Sequence, residues 1–163
     1  MLSKPNITIR PATPADLGEI VALIRDLAAY EKLLHECSIN TEDLAAAMFG
    51  VKPCAEALMG ELNEVVQGVA LFFTNFSTFK CKPGIYLEDL YVRPAARGAG
   101  LGKALLIHLA KLAVARGCAR FEWSVLDWNA PAIGFYQKLG AVPMDGWTIM
   151  RVSGDSLDAL AAL

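Results

Sequence analysis

The run Arg97-Gly98-Ala99-Gly100-Leu101-Gly102-Lys103 sets three glycines at alternate positions between two cations, just ahead of a helical apolar pattern. Glycine inside a helix costs roughly 1 kcal/mol relative to alanine, so the spacing calls for a purpose. Successive backbone N–H groups at a helix start converge on an anion, and the helix dipole adds to their attraction. Glycines let a bulky anion lie against that backbone, while Arg97 and Lys103 add charge. Two familiar phosphate loops fit less well. A Walker A loop needs Ser or Thr where this chain has Ala104, and glycine where it has Arg97. A dinucleotide fingerprint matches Gly98 and Gly100, with Glu122 at a spacing suited to a ribose. It meets Lys103 at its third glycine, however, and residues 93–96 separate the loop from its strand. It stays as the weaker alternative.

Two adjacent carboxylates, Glu88 and Asp89, interrupt the apolar strand "GIYLEDLYV". Strand alternation puts Glu88 on one face with Leu90 and Val92. A carboxylate on an apolar face is desolvated, which raises its pKa toward that of a useful base. Glu88 is therefore the candidate base, acting directly or through a water. In "NAPAIGFYQKL", Asn129 is placed to cap a helix. Tyr136 shares a stripe with Ala132, Ile133 and Leu139, where a core tyrosine would also sit. Lys138 is a solvated helix lysine with the reach to meet a phosphate. His35 and His108 stand alone, and no metal site is expected.

Periodicity and punctuation predict the elements that position these groups. Ile7 and Ile9 alternate in a short strand stopped by Pro11. Thr13 and Pro14 open a helix whose Leu17, Ile20, Val21, Ile24, Leu27 and Ala28 share a face. A second helix begins near Thr41 and ends at Gly50 and Pro53. "CAEALMGEL" and "EVVQGVALFFTNF" read as a hairpin, followed by the strand "GIYLEDLYV". A long helix from about Gly100 to Arg116 stops at Gly117. The strand "ARFEWSVL", a helix closed by Gly140 and a last strand "WTIMRV" follow. The order is β-α-α-β-β-β-α-β-α-β, a mixed α/β sheet in a single domain over 1–163.

The 163 residues are 55% apolar with a net charge of −2. That balance argues against general nucleic-acid binding, which wants a basic face, and suits cationic small molecules. No apolar run approaches the ~20 residues of a membrane span, and no secretory h-region is present. Cys37, Cys54, Cys81 and Cys118 are scattered, as thiols of a reducing cytoplasm are. The apolar content points to a homodimer, with its contact around "VALFFTNF" and "GIYLEDLYV".

Arg97-x-x-Gly100-x-Gly102, after a strand ending Val92-Arg93-Pro94, and "VLDWNAPAIGFYQKLGA" over 125–141 resemble the two hallmarks of the GNAT N-acetyltransferases, in that family's order and spacing. The resemblance covers nearly the whole chain. "IRPATPADLGEIVALIRDLAAYEK", "YLEDLYV" and "VLDWN" are similar to the spermidine/spermine and thialysine acetyltransferase branch. It implies a GNAT-type, mostly antiparallel sheet flanked by helices, with acetyl-coenzyme A as co-substrate and no metal. The acetyl group would pass directly to a primary amine of a small cationic acceptor: a polyamine, a diamine or a lysine-like amino acid.

The resemblance also implies roles. Residues Arg97 to Lys103 cradle the coenzyme pyrophosphate, with Asn129 and Lys138 as further contacts. Leu90, Tyr91 and Val92 offer backbone groups to the pantetheine arm and thioester carbonyl, and Tyr136 points at the sulfur as general acid. Tyr30, Glu31, Asp89, Asp145 and Trp147 match acceptor positions beside Glu88, the acids attracting a cation and Trp147 covering it by cation–π contact. "KLLHE" and a shortened segment before Gly146-Trp147 depart from the polyamine pattern, while "YEKL" leans toward the thialysine type. A non-catalytic acyl-coenzyme A sensor is the alternative from another class. It needs only the loop, so Glu88 and Tyr136 argue against it.

Overall fold

Residues 5–163 are described by the computed structural model. They fall into two compact units that divide after Ser124. The first unit contains β1 (Ile7–Pro11), α1 (Leu17–Tyr30), α2 (Thr41–Phe49), β2 (Glu56–Leu62), β3 (Val65–Ser77), β4 (Lys82–Val92), α3 (Leu101–Ala115) and β5 (Arg120–Trp123). Its five strands form one sheet in the order β1-β2-β3-β4-β5, antiparallel except for the parallel β4–β5 pair. The result is a mixed, mostly antiparallel sheet flanked by helices.

Local chemistry explains the elements. Asn63 and Glu64, both at positive φ, make the tight turn between β2 and β3, a geometry that matches the twist of paired strands. The Asn40 side chain accepts from the Asp43 N–H and caps α2. Gly117, also at positive φ, terminates α3. At the entry to α1, the Asp16 carboxylate accepts from the Thr13 N–H at 2.7 Å and from both terminal nitrogens of Arg10 at 2.8 Å. Arg10 Nε donates to Glu61 at 2.6 Å. One guanidinium thereby joins the end of β1, the first turn before α1 and β2.

The sheet carries apolar packing on both faces. On one side Ile20, Leu23, Ile24 and Leu27 of α1, with Leu44 and Met48 of α2, meet Met59, Val69, Leu71 and Tyr91. On the other lies α3. Gly60 and Gly68 are register partners. A Cβ on Gly60 would stand 3.0 Å from Leu101, and one on Gly68 3.1 Å from Val92 and 3.5 Å from Leu101. The two glycines let the first turn of α3 lie close against the sheet, which fixes where the glycine loop ends. Within "VALFFTNF", Val69, Ala70, Leu71 and Phe72 are buried core, while Thr74 and Phe76 towards its outer end are exposed.

The second unit holds α4 (Ala130–Lys138) and α5 (Asp155–Ala161). The expected last strand, "WTIMRV", is not formed: residues 147–152 have no strand partner and are exposed among the described residues. Alternation alone does not make a strand, which needs a hydrogen-bonded neighbour. The short helix α5 in its stead has Asp155 and Asp158 in its first turn, where carboxylates favour a helix start.

Candidate active site

The site is organised by an irregularity in β4. Leu87 pairs with Phe72 and Asp89 with Leu71, so Glu88 is an extra residue without a partner on β3. A bulge of this kind reverses which face the following side chains take. Leu87 lies on the α3 side with Phe72, whereas Asp89 and Tyr91 turn to the α1–α2 side with Leu71 and Val69. This corrects the alternation argument. Glu88 is exposed rather than desolvated, and the half-buried carboxylate is that of Asp89. Two adjacent acids breaking an apolar strand were the available signal for the bulge.

Asp89 stands in a negative surround. Burial, with the charges of Glu88 and Glu31 as smaller causes, raises its carboxyl from 3.8 to about 6. Glu31, the residue capping α1, is itself raised by burial. Tyr30 ends α1 beside it. The Arg97 guanidinium lies 5.1 Å from the centre of the Tyr30 ring and 5.6 Å from that of Tyr91, and its Nε donates to the Val92 carbonyl at 3.0 Å. Thus Tyr30, Glu31, Glu88, Asp89, Tyr91 and Arg97 converge at one end of β4. Arg97 joins the loop to Tyr30, expected in the acceptor site, and to Tyr91, expected beside the pantetheine arm, contacts the sequence did not reveal.

Beyond this cluster the chain runs through one 3₁₀ turn, Pro94–Ala96, into the glycine loop. Gly98 and Gly100 have φ of +82° and +93°, which L side chains rarely adopt. A Cβ on Gly98 would meet nothing within 4 Å, and one on Gly100 only Ile7 at 3.9 Å. The first bond within α3 runs from the Ala104 N–H to the Gly100 carbonyl. The N–H groups of Leu101, Gly102 and Lys103 precede it, as the unfilled donors of a helix start do. Pairing of β5 with β4 ends at Leu87 and Trp123, leaving Leu90, Tyr91 and Val92 without a strand on that edge among the described residues. An open loop of donors beside an unpaired strand edge fits a pyrophosphate joined to an amide-bearing arm.

The other expected residues lie in the second unit. Asn129 is buried and accepts from the Ala132 N–H, the cap expected of it. Tyr136 is half-buried on α4, its ring 5.4 Å from that of Phe135. Lys138 ends α4, and Asp145 and Trp147 are exposed in the segment between α4 and α5. Glu122, the ribose ligand of the dinucleotide alternative, is engaged elsewhere: its carboxylate accepts from Asn75 and pairs with Arg120 Nε, each at 3.2 Å. That alternative loses its acidic partner.

Comparison with known proteins agrees with this geometry. The model of the acetyltransferase (GNAT) family matches residues 22–141. The chain is 37% identical to a thialysine N-epsilon-acetyltransferase of Mus musculus, over 94% of this chain and 96% of that protein. It is 32% identical to an L-ornithine N5-acetyltransferase of Arabidopsis thaliana, over 95% of this chain and 88% of that one. Among solved structures, an integron cassette protein from the mobile metagenome of V. cholerae superposes with a TM-score of 0.80 at 26% identity, covering 95% of this chain and 97% of its own. By its fold, its glycine loop and these relatives, the chain belongs to the GNAT family of N-acetyltransferases.

Proposed function

We propose that this enzyme moves the acetyl group of acetyl-coenzyme A to a primary amine of a small acceptor bearing a second positive charge, of the lysine, ornithine or polyamine type. The observation that carries this reading is the gathering of Glu31, Glu88 and Asp89 beside Tyr30, where β4 leads into a loop of backbone donors. The relatives named for thialysine and for L-ornithine support it.

The bound coenzyme supplies an acetyl thioester, whose carbonyl carbon accepts an amine. The chain's own residues do the rest. The N–H groups from Gly98 to Lys103 bind the pyrophosphate, assisted by Arg97, Lys103, Asn129 and Lys138. The free edge of β4 at Leu90, Tyr91 and Val92 pairs with the pantetheine arm and donates to the thioester oxygen as charge develops there. Glu31, Glu88, Asp89 and Asp145 attract the cationic acceptor, while Tyr30 and Trp147 offer it aromatic faces. A β4 carboxylate removes a proton from the ammonium group, because at a pKa near ~10.4 little free amine exists at neutral pH. Tyr136 gives its proton to the departing sulfur.

The scattered free thiols support a reducing, cytoplasmic setting. Exposed Phe76 and Phe79, at and beyond the end of β3, support a homodimer. The test is a panel of acceptors. Thialysine, ornithine and spermidine should show the highest kcat/KM, falling as salt screens the attraction. Neutral or anionic amines that outperform them, with no salt effect, would refute the acceptor assignment. Coenzyme binding without any turnover would favour the sensor alternative.

A further inference from the structure

We propose that Asp89, rather than the exposed Glu88, is the group that takes the proton from the acceptor ammonium. This role rests on the acetyl-transfer reading above.

Geometry assigns it. The bulge leaves Glu88 without a partner on β3 and exposed, and turns Asp89 toward the α1–α2 side of the sheet, between Leu71 and Tyr91. The charged groups facing Asp89 are Glu88 on its own strand and Glu31 at the end of α1. Arg97, from the loop, is held over Tyr30 and Tyr91. Among the described residues, no ion pair or hydrogen bond engages the Asp89 carboxylate. A base must be ionised yet poorly stabilised as an anion, and accessible to the acid it deprotonates. Asp89 meets these conditions: half-buried, flanked by like charges, and unpaired. Its carboxyl, raised to about 6, lies closer to an alkylammonium than an ordinary carboxylate does. Glu88 and Glu31 become positioning residues that hold the second charge of the acceptor and keep Asp89 basic.

The protons balance as follows. The ammonium gives one proton to the Asp89 carboxylate. The freed nitrogen lone pair bonds to the acetyl carbonyl carbon, and the carbon–sulfur bond breaks with its electron pair leaving on sulfur. The second proton of the attacking nitrogen replaces the one Tyr136 donates to the thiolate, giving the thiol. Asp89 returns its proton to solvent.

The test is the pH profile of kcat/KM for thialysine between pH 5 and 10. It is run on wild type, Asp89→Asn, Asp89→Glu, Glu88→Gln and Glu31→Gln, with folding checked by circular dichroism and acetyl-coenzyme A affinity by calorimetry. Wild type should rise through a bend near pH 6 to a plateau. Asp89→Asn should lose roughly 10²-fold or more in kcat at pH 7, with coenzyme affinity unchanged. Its rate should climb tenfold per pH unit without a bend, because only free amine then reacts. Asp89→Glu should restore the bend. Glu88→Gln and Glu31→Gln should keep it at a lower pH and act mainly on KM. A folded Asp89→Asn variant that retains the bend and changes only KM, or a Glu88→Gln variant that loses the bend, overturns the assignment while leaving acetyl transfer intact. A wild-type protein that acetylates no amine overturns the parent reading as well.

Discussion

Replacing Asp89 by asparagine should stabilise the protein at pH 8 and have little effect on its stability near pH 4. Burial, with Glu88 and Glu31, carries the Asp89 carboxyl from 3.8 to about 6. At 1.36 kcal/mol per unit, the charged form is disfavoured in the folded state by about 3 kcal/mol. The sign follows from proton counting. Between 3.8 and about 6 the folded protein holds the Asp89 proton more tightly than the unfolded chain, so this residue's contribution falls as pH rises through that window. The penalty is complete above about pH 7 and absent below the ordinary carboxylate range. Asparagine keeps the shape without the charge, but its half-buried amide needs partners of its own, so a gain of roughly 1–3 kcal/mol is expected at pH 8. Urea unfolding of wild type and variant, followed by tryptophan fluorescence at several pH values, gives the difference directly, because groups common to both cancel. A variant less stable than wild type at pH 8, or a difference that does not change with pH, would show that Asp89 is not a strained anion. Gain of stability with loss of turnover is the trade expected of a functional residue.

Gly100→Val should lower acetyl-coenzyme A affinity by roughly 10²-fold in calorimetry while the protein still folds, since the φ of +93° is closed to a β-branched residue; unchanged affinity would reduce the loop to an ordinary turn. Tyr136→Phe should cut kcat by roughly 10²–10⁴-fold with little change in coenzyme affinity, and near wild-type turnover would make Tyr136 a packing residue. Asp16→Asn should cost roughly 2–4 kcal/mol in urea unfolding at pH 7, because it removes the charge facing Arg10 and sets an amide donor against the Arg10 and Thr13 donors. Arg10 holds the Asp16 carboxyl well below its usual range. That stability is present above the ordinary carboxylate pKa and lost as pH falls below it, so the two unfolding curves should converge in strong acid.

Much of the scaffold was legible because it is written in local chemistry. Asn129 before Ala130-Pro131, Gly117 after α3 and the glycine loop ahead of Leu101 each act within a few residues, and each sits where spacing put it. What escaped depends on pairing between distant segments. The bulge at Glu88 exists only in the register of β4 against β3, and it moved the desolvated carboxylate one residue along, to Asp89. The close approach of α3 rests on Gly60 and Gly68 lying opposite each other across two strands. "WTIMRV" shows the converse, a strand-like alternation that finds no paired neighbour. Arg97 reads as an anion ligand in sequence, yet its guanidinium also stacks on Tyr30, over sixty residues away.

The proposed reaction transfers an acetyl group from acetyl-coenzyme A to a side-chain amine. Incubation with acetyl-coenzyme A carrying a labelled carbonyl carbon, with thialysine as acceptor, tests it by carbon NMR alongside assay of the released thiol. One labelled amide on the thialysine side-chain nitrogen is expected for each thiol released. Thiol release without a labelled amide on the side-chain nitrogen would contradict it.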